Sequence, residues 1–504
     1  MDLPRERDVV VGGAGPTGLL VAGDLAVDGV RVTVLEQRPA EESNLTRAFA
    51  VHARTSEALD ARGLADALVP AGARVGGLRF LGKLRIDLSW LPTRFPYVLI
   101  TPQYTVEHLL EQRALEHGAE ILRGHRVENI QQNGDGVEVV SAGDRIRASY
   151  LVGADGVRSS IRTSLGLPFP GRTVARSVML GDVRLVRAPA ETIVANADGD
   201  AFGFLAPFGD GWYRVIAWRR DRQLPDDAPV EFEEIRATTA EALGTDYGMH
   251  DPRWLSRFHA DERQVPRYRV GRVFLAGDAA HVHSPAGGLG MNTGLQDAAN
   301  LGWKLAADLQ GWAPPALLDT YQGERHPIGR QALRLSGGIL RVALSRRAVL
   351  EAASGLARAA LTLRPLTERV AESVSGIGIR YPSPPGADSR VGERAPDVEL
   401  AGGGRLYEAL RAGRFVLLSA DGSAPGDLAD SHHLAVRRPA QAGPTVLVRP
   451  DGYVGWAGDR PTVEQLRVAV SEWGLPGVTT GSSRYLRYAQ GGDSSTARPF
   501  RPAR

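Results

Sequence analysis

The first forty residues contain the pattern that most restricts the fold of this chain. An apolar run at 9–11 leads into the turn Gly13-Ala14-Gly15-Pro16-Thr17-Gly18, an apolar helical pattern follows, and a second apolar run at 30–35 ends in Glu36. Strand, glycine turn, helix, strand and an acidic residue about twenty positions after the glycines form the pattern of a dinucleotide-binding βαβ unit. The sequence therefore predicts an α/β domain that holds a dinucleotide.

The residues of the glycine turn have separate predicted tasks. Gly13 makes the tight turn, Gly15 lets the backbone approach the pyrophosphate, and Gly18 lets the helix pack closely on the sheet. Pro16 and Thr17 complete the turn and begin the helix. The acidic residue that ends the second strand would accept hydrogen bonds from ribose hydroxyls, although a carboxylate at a strand end can also be merely exposed.

A second glycine-rich segment occupies residues 277–305. The apolar run 273–276 leads to Asp278, and a loop containing Pro285 and several glycines precedes a helix predicted to begin near Asn292. Free amides and the positive end of the dipole at such a helix start suit an anion, either a phosphate or the charge of a reduced flavin. An ordinary strand, loop and helix with a solvated aspartate is the alternative.

Three more polar residues are candidates for contacts with the same ligand. Asp155 follows the apolar run 150–153 at the carboxyl end of a strand, where ligands bind in open α/β sheets, and could also cap the next helix. Arg47 offers a planar fork of donors to a pyrophosphate, or is a solvated arginine. Gln103, near the start of a predicted helix, is either a surface amide or a ligand contact.

Composition excludes several classes of function. The 504 residues include no cysteine, so disulfides, thiol redox chemistry and cysteine-ligated metals are excluded, and any redox activity must come from a bound cofactor. The 60 basic and 58 acidic residues nearly balance, so neither a nucleic acid nor a membrane surface is expected as a partner. No metal site is predicted. The absence of a signal peptide and of an apolar run of about 18 residues predicts a soluble cytoplasmic protein.

The middle and end of the chain have different patterns. Strand-like alternation at about 77–100 and 173–264 predicts a sheet that roofs a cavity, and Arg214 within it points either into that cavity or to solvent, since alternation alone does not identify the buried face. A Pro/Gly-rich boundary at 381–386 precedes further strands and a closing helix. The tail from 476 onwards is predicted to be disordered.

Three motifs in this order, GAGPTG with Glu36, GADGVRSSIR, and GDAAHVHSPAGGLGMNTGLQDAANLGWKL, resemble those of the group A flavoprotein monooxygenases, the p-hydroxybenzoate-hydroxylase-like aromatic hydroxylases. The segment from 392 to 452 resembles the thioredoxin-like extension of the phenol-hydroxylase and polyketide-hydroxylase branch, although the redox cysteines of thioredoxin are missing.

The resemblance implies an α/β fold with a Rossmann-like FAD-binding domain, an inserted β-sheet substrate domain and a C-terminal thioredoxin-like α/β domain. The implied parts are a discontinuous FAD-binding domain over 1–380 with a β-rich substrate domain inserted at about 77–100 and 173–264, a linker at 381–391, the thioredoxin-like domain at 392–475 and a disordered tail at 476–504.

The resemblance also assigns the cofactor contacts. The matching residues are Gly13, Gly15, Pro16, Thr17, Gly18, Glu36, Arg47, Gln103, Val127, Asp155, Asp278, Gly290, Met291 and Asn292. Within this set, Glu36 would bind the FAD ribose, the backbone of Val127 would meet the adenine, and Asp278 would hold the ribityl chain. Asp155 belongs to a motif that serves FAD and NAD(P)H together, and the amides from Gly290 to Asn292 would lie beneath the flavin ring.

The implied reaction is reduction of FAD by NADPH or NADH, formation of a flavin C4a-hydroperoxide from O2, and insertion of one oxygen atom into an aromatic ring. Arg214 and Pro285 are the candidate catalytic residues, and a polycyclic aromatic polyketide or a phenol is the expected substrate. The alternatives are a Baeyer–Villiger or epoxidising enzyme on the same scaffold and a flavin-binding protein without turnover. A homodimer is compatible with the apolar helices that precede Ser375.

Overall fold

The computed structural model describes residues 3–39, 48–80, 84–197, 200–346, 364–419 and 430–475. Arg47 and the tail 476–504 lie outside the described residues, so the predictions for them stay predictions.

Strands and short or long helices alternate along the chain. The strands are β1 (Glu6–Gly12), β2 (Val32–Glu36), β3 (Ala50–Val51), β4 (Ala73–Val75), β5 (Gly77–Phe80), β6 (Leu84–Asp87), β7 (Val98–Ile100), β8 (Glu120–Arg123), β9 (Asn129–Gln132), β10 (Val137–Ser141), β11 (Asp144–Gly153), β12 (Gly171–Leu185), β13 (Val194–Ala197), β14 (Ala201–Pro207), β15 (Tyr213–Arg219), β16 (Met249–Gln264), β17 (Arg269–Val270), β18 (Val273–Leu275), β19 (His281–Val282), β20 (Phe415–Leu418), β21 (Leu434–Arg437), β22 (Thr445–Val448) and β23 (Val454–Gly458). The α-helices are α1 (Pro16–Val27), α2 (Ala53–Asp60), α3 (Ala65–Leu68), α4 (Gln103–Glu116), α5 (Ser160–Ser164), α6 (Phe232–Leu243), α7 (Leu289–Leu309), α8 (Thr320–Ala343), α9 (Arg364–Ser375), α10 (Leu406–Ala409) and α11 (Val463–Ser471).

The main sheet has the strand order β17-β18-β11-β1-β2-β8, and β10 and β9 extend it from β11. The pairs β18–β11, β11–β1, β1–β2 and β2–β8 are parallel. A parallel sheet needs apolar cover on both faces, which explains why residues 9–11 of β1 are fully buried. Helices α1, α4 and α7 belong to the same apolar core. The predicted Rossmann-like α/β fold is confirmed.

A second sheet has six strands in the order β13-β14-β15-β12-β16-β19, and all its pairs are antiparallel. It lies in the segment where the sequence predicts a sheet that roofs a cavity, and it is called the roof below. The segment 77–100 was expected to join this sheet, but β5 and β6 form a separate hairpin and β7 pairs with β3 and β4. Helix α6 lies within a segment predicted to be strand-rich. The sequence features that mark this helix are two glutamates in its first turn and Gly244, which ends it in the left-handed conformation.

Two predicted helix boundaries are wrong. The sequence predicts one helix from about Thr55 to Ala67, but the structure has two, α2 and α3, separated by a turn in which Gly63 has φ 75°, a conformation that favours glycine. The helix expected to begin near Asn292 begins at Leu289, because the left-handed Gly288 starts it one turn earlier. None of the described helices is long and apolar enough to cross a membrane.

The C-terminal part has a four-stranded sheet of order β21-β20-β22-β23, on which α11 packs. This sheet is joined to the N-terminal part through aromatic contacts of α7. The Trp303 ring centroid lies 5.5 Å from that of Phe415 and 6.2 Å from that of Trp473. The end of α7 opposite the glycine-rich loop is therefore held by the C-terminal sheet.

Candidate active site

The carboxyl ends of three parallel strands lie side by side and form a cleft. Gly12 at the end of β1 is in register with Leu35 of β2 and with Gly153 of β11. A cavity of about 220 Å³ opens there. The predicted cofactor residues that line it are Gly13, Gly15, Glu36, Gln103, Val127 and Asp155. The parallel sheet thus brings together residues that lie far apart in the sequence.

The glycine turn is closed on one side and open on the other. A Cβ at Gly18 would overlap the carbonyl oxygen of Gly13, so the helix start needs glycine to pack on the turn. At Gly15, no described atom would lie within 4 Å of an added Cβ. Pro16 is the first residue of α1, and the Thr17 hydroxyl packs against Gly277 at the base of the second motif. The space above Gly15 suits a pyrophosphate.

Glu36 is held as an ionised acceptor at the end of β2. Its carboxylate accepts hydrogen bonds from the backbone N–H of Ala14 (2.7 Å) and of Arg38 (2.8 Å) and from Nε of Arg38 (3.1 Å). Burial raises the pKa of Glu36, but the hydrogen bonds from Arg38 and Ala14 outweigh it, so the pKa is below its usual range. A charged acceptor at this place suits ribose hydroxyls.

Asp155 contacts the first turn of α5 with one carboxylate oxygen and leaves the other without a partner. Its Oδ2 accepts from the backbone N–H of Ile161 (3.2 Å) and from Ser160 Oγ (3.3 Å), as a helix cap does. Its Oδ1 is buried and has no hydrogen-bond partner among the described residues. Ser160 Oγ also donates to the carbonyl oxygen of Val127 (2.6 Å), and Gln103 Nε2 donates to Glu107 (2.7 Å). An orphaned buried carboxylate oxygen in the cleft wall fits a missing polar ligand.

The second motif supplies the other end of the site. Asp278 lies in a short 3-10 turn and is exposed between the buried Gly277 and Ala279. Helix α7 starts beside it, and its N-cap residue, Gly288, has no side chain that could cap the first turn. A Cβ at Gly290 would be 4.0 Å from Asp278 Oδ1. The first-turn amides, which include that of Met291, and the positive end of the α7 dipole therefore lie near this carboxylate, where they would suit the anionic edge of a flavin.

The side chain of Asn292 has a different task from its backbone. It is 2% exposed, and Oδ1 accepts from the backbone N–H of His52 (2.9 Å). Its Nδ2 donates to the carbonyl oxygens of Ala50 (2.8 Å) and Gly288 (2.7 Å). Because α7 begins at Leu289, the backbone N–H of Asn292 lies beyond the free amides of the first turn, and the side chain ties the start of α7 to strand β3.

A buried charged group fixes the turn that carries Asp278. Asp297 of α7 accepts from the backbone N–H of Gly277 (3.1 Å), from His281 Nε2 (2.6 Å) and from Arg325 Nε (2.7 Å). Burial raises the pKa of Asp297, but the neighbouring His281 and Arg325 lower it further, and the net pKa is below its ordinary value. The ionised Asp297 thus holds strand β18, α7 and α8 together behind the loop.

A large apolar cavity of about 610 Å³ adjoins this loop. Its walls are strands β13 to β15 of the roof, the hairpin β5–β6 and helices α8 and α9, and its floor is the segment 285–288. Pro285 therefore lies where this cavity meets the start of α7. A volume of this size is typical of small-molecule sites.

His52 is a polar cavity residue that the sequence did not identify as functional. It is 3% exposed and lines the cavity beside Gly287. Burial lowers the pKa of His52 to about 4, although a hydrogen bond to the Gly287 backbone acts in the opposite direction. The imidazole is therefore neutral at physiological pH. The available signal for a functional role was its position between β3 and the N-terminus of α2. The sequence does not show which residue His52 would contact.

Arg214 lies behind the cavity wall and does not line it. It is 1% exposed, and its guanidinium binds Asp182 through Nε (2.6 Å) and Nη2 (3.1 Å). It stacks 5.7 Å from the ring centroid of Phe49, which does line the cavity. A catalytic role for Arg214 stays a prediction, and in this geometry it would act by positioning Phe49.

Comparisons with known proteins agree with this geometry. The family profile described as "FAD binding domain" matches residues 6–336, and that described as "Aromatic-ring hydroxylase, C-terminal" matches 388–474. The chain is 40% identical over 466 residues to a rifampicin monooxygenase of Streptomyces venezuelae, covering 90% of this chain and 96% of that one. The anhydrotetracycline hydroxylase OxyS of Streptomyces rimosus has a similar structure, with a TM-score of 0.83, 37% identity and coverage of 94% and 100%.

A third similar protein is named as a synthase and not as a monooxygenase or hydroxylase. A dialkyldecalin synthase of Streptomyces rugosporus is 36% identical over 489 residues, which cover 92% of this chain and 98% of that one.

The chain belongs to the FAD-dependent aromatic hydroxylases of group A, which are monooxygenases that take electrons from NAD(P)H. Within them, the matched C-terminal domain identifies the branch with the aromatic-ring-hydroxylase extension.

Proposed function

We propose that this enzyme inserts one oxygen atom from O2 into a polycyclic aromatic polyketide or a large phenol, with hydroxylation as the outcome. The observation that carries the proposal is that the apolar cavity meets the start of α7 at residues 285–288. FAD bound along the two motifs and reduced by NADPH or NADH would supply the activated oxygen at that junction.

The residues of the chain would bind, orient and exclude water. Glu36 and the space above Gly15 would hold the adenosine and pyrophosphate, while Asp278 and the α7 amides would hold the ribityl chain and the ring edge. Most of the cavity wall is aliphatic or aromatic, which would keep water from the reacting ring. The neutral His52 beside Gly287 can exchange a hydrogen bond with a substrate hydroxyl without carrying a charge into the apolar space.

A screen of NADPH oxidation tests the proposal. FAD-loaded protein is mixed with NADPH and each of a set of polycyclic phenols, and a productive ligand should accelerate NADPH oxidation and yield a product heavier by one oxygen atom with its ring skeleton intact. A product whose ring is opened or expanded by the added oxygen would favour the Baeyer–Villiger alternative, and an epoxide would favour the epoxidising one.

The similarity to a dialkyldecalin synthase supports one further candidate, a flavin-binding protein that acts without oxygen transfer. Yellow protein that oxidises no NADPH with any ligand of the screen would favour it. A homodimer and a cytoplasmic location stay predictions, and the mass of the FAD-loaded protein in solution tests the first.

A further inference from the structure

The substrate cavity has few groups that can recognise a polar substituent. Four of its lining side chains carry hydrogen-bonding atoms, namely His52, Asn196, Trp218 and Arg334. The amide of Asn196 donates to the carbonyl oxygen of Ala242 (2.8 Å), and the indole N–H of Trp218 donates to that of Arg176 (3.1 Å). The groups that remain for a ligand are the rest of the Asn196 amide, the neutral His52 at the floor and the cationic Arg334, which is the one charged group among them.

Arg334 is a charged lining residue without a counter-ion in the described part of the chain. It is exposed on α8, and no described side chain forms an ion pair or a hydrogen bond with it. Two other arginines of α8 are paired, Arg325 with Asp297 at 2.7 Å and Arg341 with Glu262 at 3.1 Å. A guanidinium at the edge of an apolar cavity gains from an anion, because the low polarity on one side weakens solvent screening.

The helical rise of α8 indicates how far Arg334 lies from the cavity floor. Ile339 touches the floor, since its Cδ1 would be 3.5 Å from a Cβ at Gly287. Arg334 precedes it by five residues, a rise of about 7.5 Å along the helix axis. A molecule of about three fused rings spans such a separation, so a ligand whose ring lies on the floor can place a substituent at the other end near the guanidinium.

We propose that Arg334 is a specificity-determining residue that selects large aromatic substrates carrying an acidic group, such as a carboxylate, remote from the ring that is oxidised. The inference rests on the proposed function for the use of this cavity. Apolar walls do not distinguish an acidic polycycle from its neutral analogue, whereas Arg334, the one cation among the described lining residues, does.

Two probes with the same ring system, one charged and one neutral, test the proposal. Anthraquinone-2-carboxylate and its methyl ester are titrated into FAD-loaded protein, and binding is followed by the change in flavin fluorescence. The parent should bind the acid about fivefold more tightly than the ester at low salt, the size expected for a partly exposed ion pair. Raising the salt concentration should reduce that ratio.

Arg334→Gln should abolish the preference for the acid and leave the affinity for the ester unchanged. Arg330→Gln is the matched control, because Arg330 is exposed on the same helix one turn earlier and does not line the cavity. An acid preference that survives in Arg334→Gln, or that falls equally in Arg330→Gln, would overturn the proposal. If neither probe binds the parent, the use of the cavity fails together with the proposal. Charge-dependent binding without any oxygenated product from the screen counts against the proposed function alone.

Discussion

The substitution Gly15→Ala is expected to abolish FAD binding without destabilising the fold. The backbone at Gly15 is extended, with φ −77° and ψ 177°, so an alanine fits without strain. Its methyl group would meet no described atom within 4 Å and would instead fill the space that the pyrophosphate needs. Alanine gains about 0.4–1 kcal/mol by restricting the unfolded chain. It loses about as much because it is a poorer residue than glycine at a helix N-cap.

Without FAD, the free energy of unfolding of Gly15→Ala should therefore lie within about 1 kcal/mol of that of the parent. Addition of FAD should no longer stabilise the variant. FAD at a hundredfold excess over its dissociation constant stabilises the parent by about 2.7 kcal/mol. Thermal unfolding with and without FAD measures both quantities, and equilibrium dialysis measures the affinity directly.

Gly134→Ala is the matched control, because its added Cβ also meets nothing within 4 Å and its position is outside the cleft. This control should keep the full stabilisation by FAD. Parent-like FAD affinity in Gly15→Ala would refute the assignment of the glycine turn to the pyrophosphate.

Three other substitutions test the fold and the site. Gly18→Ala should lower the free energy of unfolding without FAD by about 1–3 kcal/mol or more, because the methyl group overlaps the Gly13 carbonyl, and thermal unfolding of the cofactor-free protein checks this. Burial lowers the pKa of His52 from 6.5 to about 4, so protonation favours the unfolded chain and stability is lost as the pH falls through this window. The loss is about 2 kcal/mol between pH 7 and pH 5, and denaturant unfolding of His52→Gln at both values should lack it. Arg449→Met should cost about 3–5 kcal/mol, because it deprives the buried Glu324 of two hydrogen bonds of 2.9 Å, whereas the surface variant Arg437→Met should cost at most about 1 kcal/mol in the same thermal assay.

The cofactor cleft was predictable because parallel strands bring their carboxyl ends to one edge. Once Gly13, Glu36 and Asp155 were each placed after an apolar strand, the topology of the sheet made them neighbours. The short turn between α2 and α3 and the helix α6 were missed for the opposite reason. Their boundaries depend on single residues such as Gly63 and Gly244, which the hydrophobic pattern does not record.

Side-chain partners far apart in the sequence were not predictable. Alternation along β15 indicates that Arg214 lies on one face of the strand, but it does not show which residues its side chain contacts. The ion pair with Asp182, which places Arg214 next to Phe49, forms only in the assembled sheet. The carboxamide of Asn292 reaches strand β3 across 242 positions of sequence, so its role in tying the helix start to the cavity wall became visible only in three dimensions.

The fate of labelled oxygen tests the central claim most directly. FAD-loaded protein, NADPH and the best ligand of the screen are incubated under 18O2, and the product is analysed by mass spectrometry. A monooxygenase of this kind should give a product with one 18O atom and an intact ring skeleton, for one NADPH consumed per product in a coupled turnover. A product without the label, or one whose added oxygen comes from water, would contradict the assignment.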